Sequence, residues 1–162
     1  MKPSFYKQPH IIAAAVWLLV VIMSGRLLTD IGPWYLALKQ PDWKPPDWAF
    51  GLIWTTIFLL ASFSWNFAWR GSSTKKQKII LSCLFIANAA LNMFWSVLYF
   101  KLHRPDWSLI EATFLWLSVL AIIVFTWSFS KPAALLITPY IIWVSLAILL
   151  NLGTIRLNGP FQ

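Results

Sequence analysis

The sequence predicts an all-α membrane protein, a bundle of five transmembrane helices with a structured loop between the first and second. Three observations carry this. Of the 162 residues, 59% are hydrophobic and only 11% charged, well below the roughly 25% charged residues of soluble domains. The apolar residues fall in five blocks, at 9–29, 48–69, 79–101, 108–129 and 133–152. A helix over the second block would be about 33 Å long at ~1.5 Å per residue, enough to cross a ~30 Å hydrocarbon core. Barrel strands of about 9–11 residues with strict in/out alternation do not describe these blocks. The length indicates one domain over 1–162.

The first block follows Lys2 and Lys7, as a signal peptide would. The run from Ile11 to Leu28 is longer than an h-region, contains Trp17 and precedes no small-x-small cleavage site, so it reads as a retained helix. The following segment, 30–47, reads as a folded lid rather than a linker. The stretch from Gly32 to Thr56 holds four of the twelve tryptophans and four of the ten prolines, whereas a flexible connector is rich in Gly, Ser and charge.

Local signals mark the remaining helices. Asp47 after Pro45-Pro46 is expected to cap the second helix, which Gly71-Ser72-Ser73 stops. Ser108 with Glu111 three residues on predicts a capping box opening the fourth helix, making Glu111 a structural cap rather than a catalytic acid; Pro132 lies beyond that helix. Pro139 falls inside the fifth span and frees the carbonyl of Leu135.

Formal charge is +8, but the basic residues sit at the ends of apolar spans, which points to lipid headgroups and not to nucleic acid. All five acids (Asp30, Asp42, Asp47, Asp106 and Glu111) fall on one side of the expected topology; Lys and Arg divide 7 to 6 between the sides, too even to orient the chain, and only the cluster Lys75, Lys76 and Lys78 tilts the N-terminus toward the cytoplasm. Cys83 is the only cysteine and lies within the third span. His10 and His103 are expected at opposite membrane faces, so they form no joint metal or haem site. No Ser-His-Asp set, Gly-rich phosphate loop or carboxylate pair is present, which excludes conventional hydrolase and kinase chemistry and calls for no required cofactor or metal.

Polar residues within spans mark the faces that avoid lipid. Asn88, Asn92, Trp95 or Ser96, and Tyr99 share one face of the third span. Trp54, Phe58, Ser62, Trp65 and Trp69 share one face of the second, and Tyr140, Trp143, Ala147 and Asn151 one of the fifth. Together these stripes are expected to line a flat aromatic pocket. Asn88 and Asn92 equally suit interhelical hydrogen bonds, and Trp34, Trp43, Trp48, Trp69 and Trp107 suit an interfacial belt.

The motifs Trp34-Tyr35-x-x-Leu38-x-x-Pro41-x-Trp43-x-Pro45-Pro46-x-x-x-Phe50-x-x-x-Trp54, Leu91-Asn92-x-x-Trp95-Ser96, and Pro139-Tyr140-x-x-Trp143 with Leu150-Asn151 occur in order along nearly the whole chain. In them the sequence resembles the TspO family of tryptophan-rich sensory proteins, whose mitochondrial relatives are the translocator proteins, or peripheral benzodiazepine receptors. The resemblance implies a five-helix bundle, commonly a homodimer. It implies binding of porphyrins such as protoporphyrin IX or haem, and of synthetic benzodiazepine-type ligands, in a pocket closed by the first loop. Trp54 and Trp143 match the family's pocket tryptophans, and Tyr35, Pro45, Phe50, Phe58, Asn88, Asn92, Trp95, Tyr140 and Ala147 are expected as further lining. The family's sterol motif is broken here, because Leu152 stands where its Tyr belongs before Arg156.

The expected function is that of an integral membrane tetrapyrrole-binding protein, a sensor, regulator or transporter of porphyrins, with propionates meeting Lys39, Lys44 or Arg26 near the lid. One alternative is light-dependent porphyrin degradation, with Trp54 and Trp143 as the catalytic groups. Another is a structural interaction protein whose tryptophans are membrane anchors. The resemblance favours a bacterial cell membrane, with the outer membrane or mitochondrial outer membrane as alternatives.

Overall fold

The computed structural model describes residues 8–161. Its long helices are α1 (Pro9–Leu28), α3 (Asp47–Gly71), α4 (Lys75–Ser96), α5 (Pro105–Trp127) and α6 (Lys131–Asn158); a short α2 (Pro33–Ala37) lies between α1 and α3. All five long helices are long and apolar enough to cross a membrane. They close into a ring in the spatial order α1, α3, α6, α5, α4, each packing on the next.

Prolines set several starts. Pro9, Pro33, Pro105 and Pro132 stand in the first turn of their helices, where a missing N–H costs nothing and φ is already helical. At α4 a capping box does this work: Thr74 Oγ1 accepts from the Gln77 backbone N–H at 3.1 Å, and Gln77 Oε1 accepts from the Thr74 N–H at 3.1 Å.

The two caps expected from sequence are not formed. Pro46 occupies the cap position of α3, and the Asp47 carboxylate instead accepts hydrogen bonds from Tyr35 and Lys44. Helix α5 begins at Pro105, a turn before the predicted box, so Ser108 is already helical and its hydroxyl donates to Pro105 O at 2.9 Å. Glu111 is therefore no cap. It is 5% exposed, and neither carboxyl oxygen has a partner among the described residues. The end of α3 at Gly71, with Ser72 following, agrees with expectation, and α6 runs six residues beyond its expected limit of 152.

One end of the ring is solid. Trp17 of α1 meets Phe58, Trp65 and Phe85 edge-on, with centroids 5.6–6.4 Å apart, and its indole N–H donates to Phe85 O at 2.8 Å. Small residues (Ala14, Ala61, Ala68, Ala133) are completely or almost completely buried and let helix backbones approach closely. Ser64 donates to Ala133 O at 2.8 Å, and the Trp116 indole to Ser145 Oγ at 2.9 Å, satisfying polar groups where lipid offers no partner.

At the opposite end α4 loosens into a π-helical turn, Val97–Lys101, followed by His103 with φ of 54°. Such turns widen a helix by one residue and recur at functional sites. Here the widened turn turns Tyr99 and Phe100 toward the space inside the ring.

Candidate functional site

The 30–47 segment folds back over this loosened end. Trp34 of α2 stacks on His103, with centroids 4.1 Å apart and planes at 12°, and meets Tyr99 edge-on. Lys39 is held at both backbone groups by Asn158 of α6: its N–H donates to Oδ1 at 2.8 Å and its carbonyl accepts from Nδ2 at 2.7 Å. Thr154 donates to the Gln40 side-chain oxygen at 3.2 Å. Pro41 sits so close to Gly153 that a Cβ there would lie 2.6 Å from the proline Cγ; only glycine admits the loop at this distance. The segment is thus tied to α6 over this end of the bundle.

Beneath the lid lies a cavity of about 670 Å³ between α1, α3, α4 and α6. It brings together Tyr35, Phe50, Trp54, Phe58, Asn92, Trp95, Trp143 and Ala147 from the sequence-derived set. Trp54 stacks on Phe58 at 5.2 Å and stands at 88° to Trp143 at 6.3 Å, while Trp95 stacks on Tyr99 at 5.0 Å. The wall is a set of offset and perpendicular rings, the arrangement that aromatic quadrupoles favour.

Three expected lining residues stand elsewhere. Pro45 is half-buried in the lid, outside the cavity wall. Tyr140 is buried beneath the wall, edge-on to Trp54 and Phe58, and its hydroxyl accepts from Asn92 at 3.3 Å. Asn88 donates to Ser118 of α5 at 2.9 Å. Asn88 is thus an interhelical tie, while Asn92 both ties and lines. Of the belt candidates, Trp43, Trp48 and Trp107 are exposed, and Trp69 stacks on His10 at the solid end. Trp48 also reaches the cavity rim.

Tyr99, on the expected inward stripe, and Arg26, expected near the lid, both line the cavity; sequence reasoning missed the rest of the wall at α1, made of Val21, Ile22 and Gly25 with Thr29 just beyond the helix, together with Gln40 and Phe100. The only mark on α1 was Gly25-Arg26 within an otherwise apolar block.

The polar groups are few and mostly engaged. Tyr35 donates to the Asp47 carboxylate at 2.8 Å, and Lys44 Nζ approaches the same oxygen at 2.6 Å. Burial, reinforced by that hydrogen bond, holds the Tyr35 phenol above its ordinary range, so it stays a neutral donor. The Trp143 indole N–H is enclosed without a partner among the described residues. No group of His, Cys, Asp and Glu able to hold a metal occurs among the described residues.

Comparison with known proteins decides the family. The sequence model of the TspO/MBR family matches residues 3–157. The chain belongs to the TspO/MBR family. It is 38% identical to protein CrtK of Rhodobacter capsulatus over 130 residues, covering 78% of this chain and 79% of that one. It is 32% identical to the tryptophan-rich sensory protein of Cereibacter sphaeroides, over 83% and 82% of the two chains. It is 29% identical to the human translocator protein, over 80% and 77%. TspO/MBR membership makes the five apolar helices membrane spans, and the chain an integral, multi-pass membrane protein.

Proposed function

We propose that this protein binds tetrapyrroles of the protoporphyrin IX or haem type in the lidded cavity and acts as a sensor, regulator or transporter of porphyrins. The observation that carries the reading is the aromatic wall of Trp54, Phe58, Trp95 and Trp143 around a cavity of about 670 Å³, within the ~300–1,000 Å³ of small-molecule sites. A planar apolar macrocycle gains most from flat rings of this kind. The names of the relatives, sensory in one case and translocator in another, support a role in signalling or movement of such a ligand.

Titrating the purified protein with protoporphyrin IX tests it. Saturable quenching of tryptophan fluorescence is expected, and its absence across several detergents refutes the reading. On family grounds the same proposal takes membrane lipid, synthetic benzodiazepine-type ligands and a second copy of the chain as further partners in a bacterial cell membrane. Sizing in lipid nanodiscs checks the dimer. Sterol is left out, because Leu152 stands where the family's sterol motif has its Tyr before Arg156.

A second reading is favoured by one observation, the perpendicular Trp54–Trp143 pair in the cavity wall. Indoles are oxidisable, and light-dependent oxidation of a bound porphyrin, with dioxygen as oxidant, would use them. Trp54→Phe and Trp143→Phe would then bind protoporphyrin but lose its light-dependent spectral change. Trp107→Phe is the control, outside the cavity with Arg104 4.3 Å above its ring. Undiminished change in both pocket variants, or equal loss in all three, rules out the indole role.

A further inference from the structure

Six cations stand at the lidded end: Arg26, Lys39, Lys44, Lys101, Arg104 and Arg156. The structure sorts them. Lys44 is paired with Asp47, Lys101 with Asp30 at 3.8 Å, and Arg104 with Asp106. Lys39 and Arg156 lie in the groove on the outer face with Asp42. That leaves Arg26, which lines the cavity and forms no ion pair with any described residue.

The other charged group in the lining, Asp47, already accepts from Lys44 and Tyr35. The cavity therefore carries an uncompensated positive charge at its α1 edge. Space is available beside it: a Cβ at Gly25 on α1, or at Gly51 on α3, would meet nothing within 4 Å, and both residues line the cavity. A basic residue in the last turn of α1 suits the helix dipole, and its head can snorkel toward water. Those effects act anywhere around the helix; they do not select the cavity side.

We propose that Arg26 anchors an anionic group of the ligand, so that the pocket prefers flat apolar molecules bearing a carboxylate over the same molecules with that carboxylate masked. This rests on the tetrapyrrole reading and adds which end of the ligand is held. A guanidinium meets a carboxylate through two parallel N–H donors; Arg26 is exposed at the cavity edge, so water screens the pairing on its outer side and the preference it gives is modest.

The test uses the full chain in nanodiscs of zwitterionic lipid, with protoporphyrin IX and its dimethyl ester as probes and tryptophan quenching as readout. The wild type is expected to bind the diacid about two- to fivefold tighter than the diester. In R26Q the acid-to-ester ratio falls to about one, and R26K, which keeps the charge but not the fork, lies between. An acid preference undiminished in R26Q overturns the anchor and leaves the tetrapyrrole site standing, as does equal binding of acid and ester by the wild type. No saturable binding of either porphyrin by the wild type overturns both.

Discussion

Replacing Asn158 by alanine should untie the lid without disturbing the bundle. The Asn158 amide makes two hydrogen bonds to the backbone of Lys39, at 2.7 and 2.8 Å, and a third to Thr154 O within its own helix. Only the first two bridge to the loop. Each neutral bond is worth about 0.5–1.5 kcal/mol net, and both lie where water can replace them. The lid should therefore lose about 1–2 kcal/mol, a factor of about 5–30 in its open-to-closed ratio. Hydrogen exchange at the Lys44 amide is the assay. That amide donates to Pro41 O at 3.0 Å and reports on the loop without touching Asn158. Its exchange should accelerate by that factor, and ligand affinity should fall by no more than the same factor, because only the competent fraction changes. Gly153→Ala, which drives a Cβ toward Pro41, should act in the same direction. If both variants leave Lys44 exchange at the wild-type rate, the loop is held by something other than its contacts with α6.

Other expectations follow from the same geometry. Pro45→Gly with Pro46→Gly should weaken protoporphyrin binding about two- to fivefold per site, through lid entropy of ~0.4–1 kcal/mol each, while thermal melting in detergent stays near wild type; unchanged affinity would make the loop a mere connector. Ala147→Val adds atoms to the cavity wall between Trp143 and Asn151, and a clash of ~1–3 kcal/mol should lower ligand affinity about tenfold in the same titration. Trp17→Phe deletes an indole bonded to Phe85 O, whereas Trp143→Phe deletes an N–H that has no partner. The first should melt lower by an amount matching ~0.5–1.5 kcal/mol, and the reverse order would refute this assignment.

The spans and the inward stripes were legible because both are periodic. Twenty-residue apolar blocks and polar residues at three- and four-residue steps survive any detail of packing. The caps at Asp47 and Ser108–Glu111 were misread because a neighbouring proline set the start of each helix: Pro46 takes the cap position of α3, and Pro105 opens α5 a turn early. Arg26 was visible as a charge, but the α1 wall around it was not. Val21 and Ile22 line an apolar cavity with the same side chains that face lipid elsewhere on the helix, so the sequence holds no contrast. The Lys39–Asn158 tie joins residues 119 apart through exposed amides, and the π-helical turn at Val97–Lys101 has no compositional mark.

The unequal filling of the ring bears on how this protein tolerates change. Interlocked indoles, close-packed alanines and a bonded Trp17 occupy one end, and the other is a chamber whose rings, although Trp54 and Trp143 rest on the core, leave one side open to the cavity. Substitution in the chamber removes few of the contacts on which assembly in the bilayer depends, whereas the same substitution among Trp17, Trp65 and Phe85 leaves a void that nothing fills. Residues such as Trp54, Trp95 and Ala147 can thus drift toward new ligands at little cost in melting temperature. A library of variants should show recognition diversifying at the lidded end, while the opposite end admits almost no change.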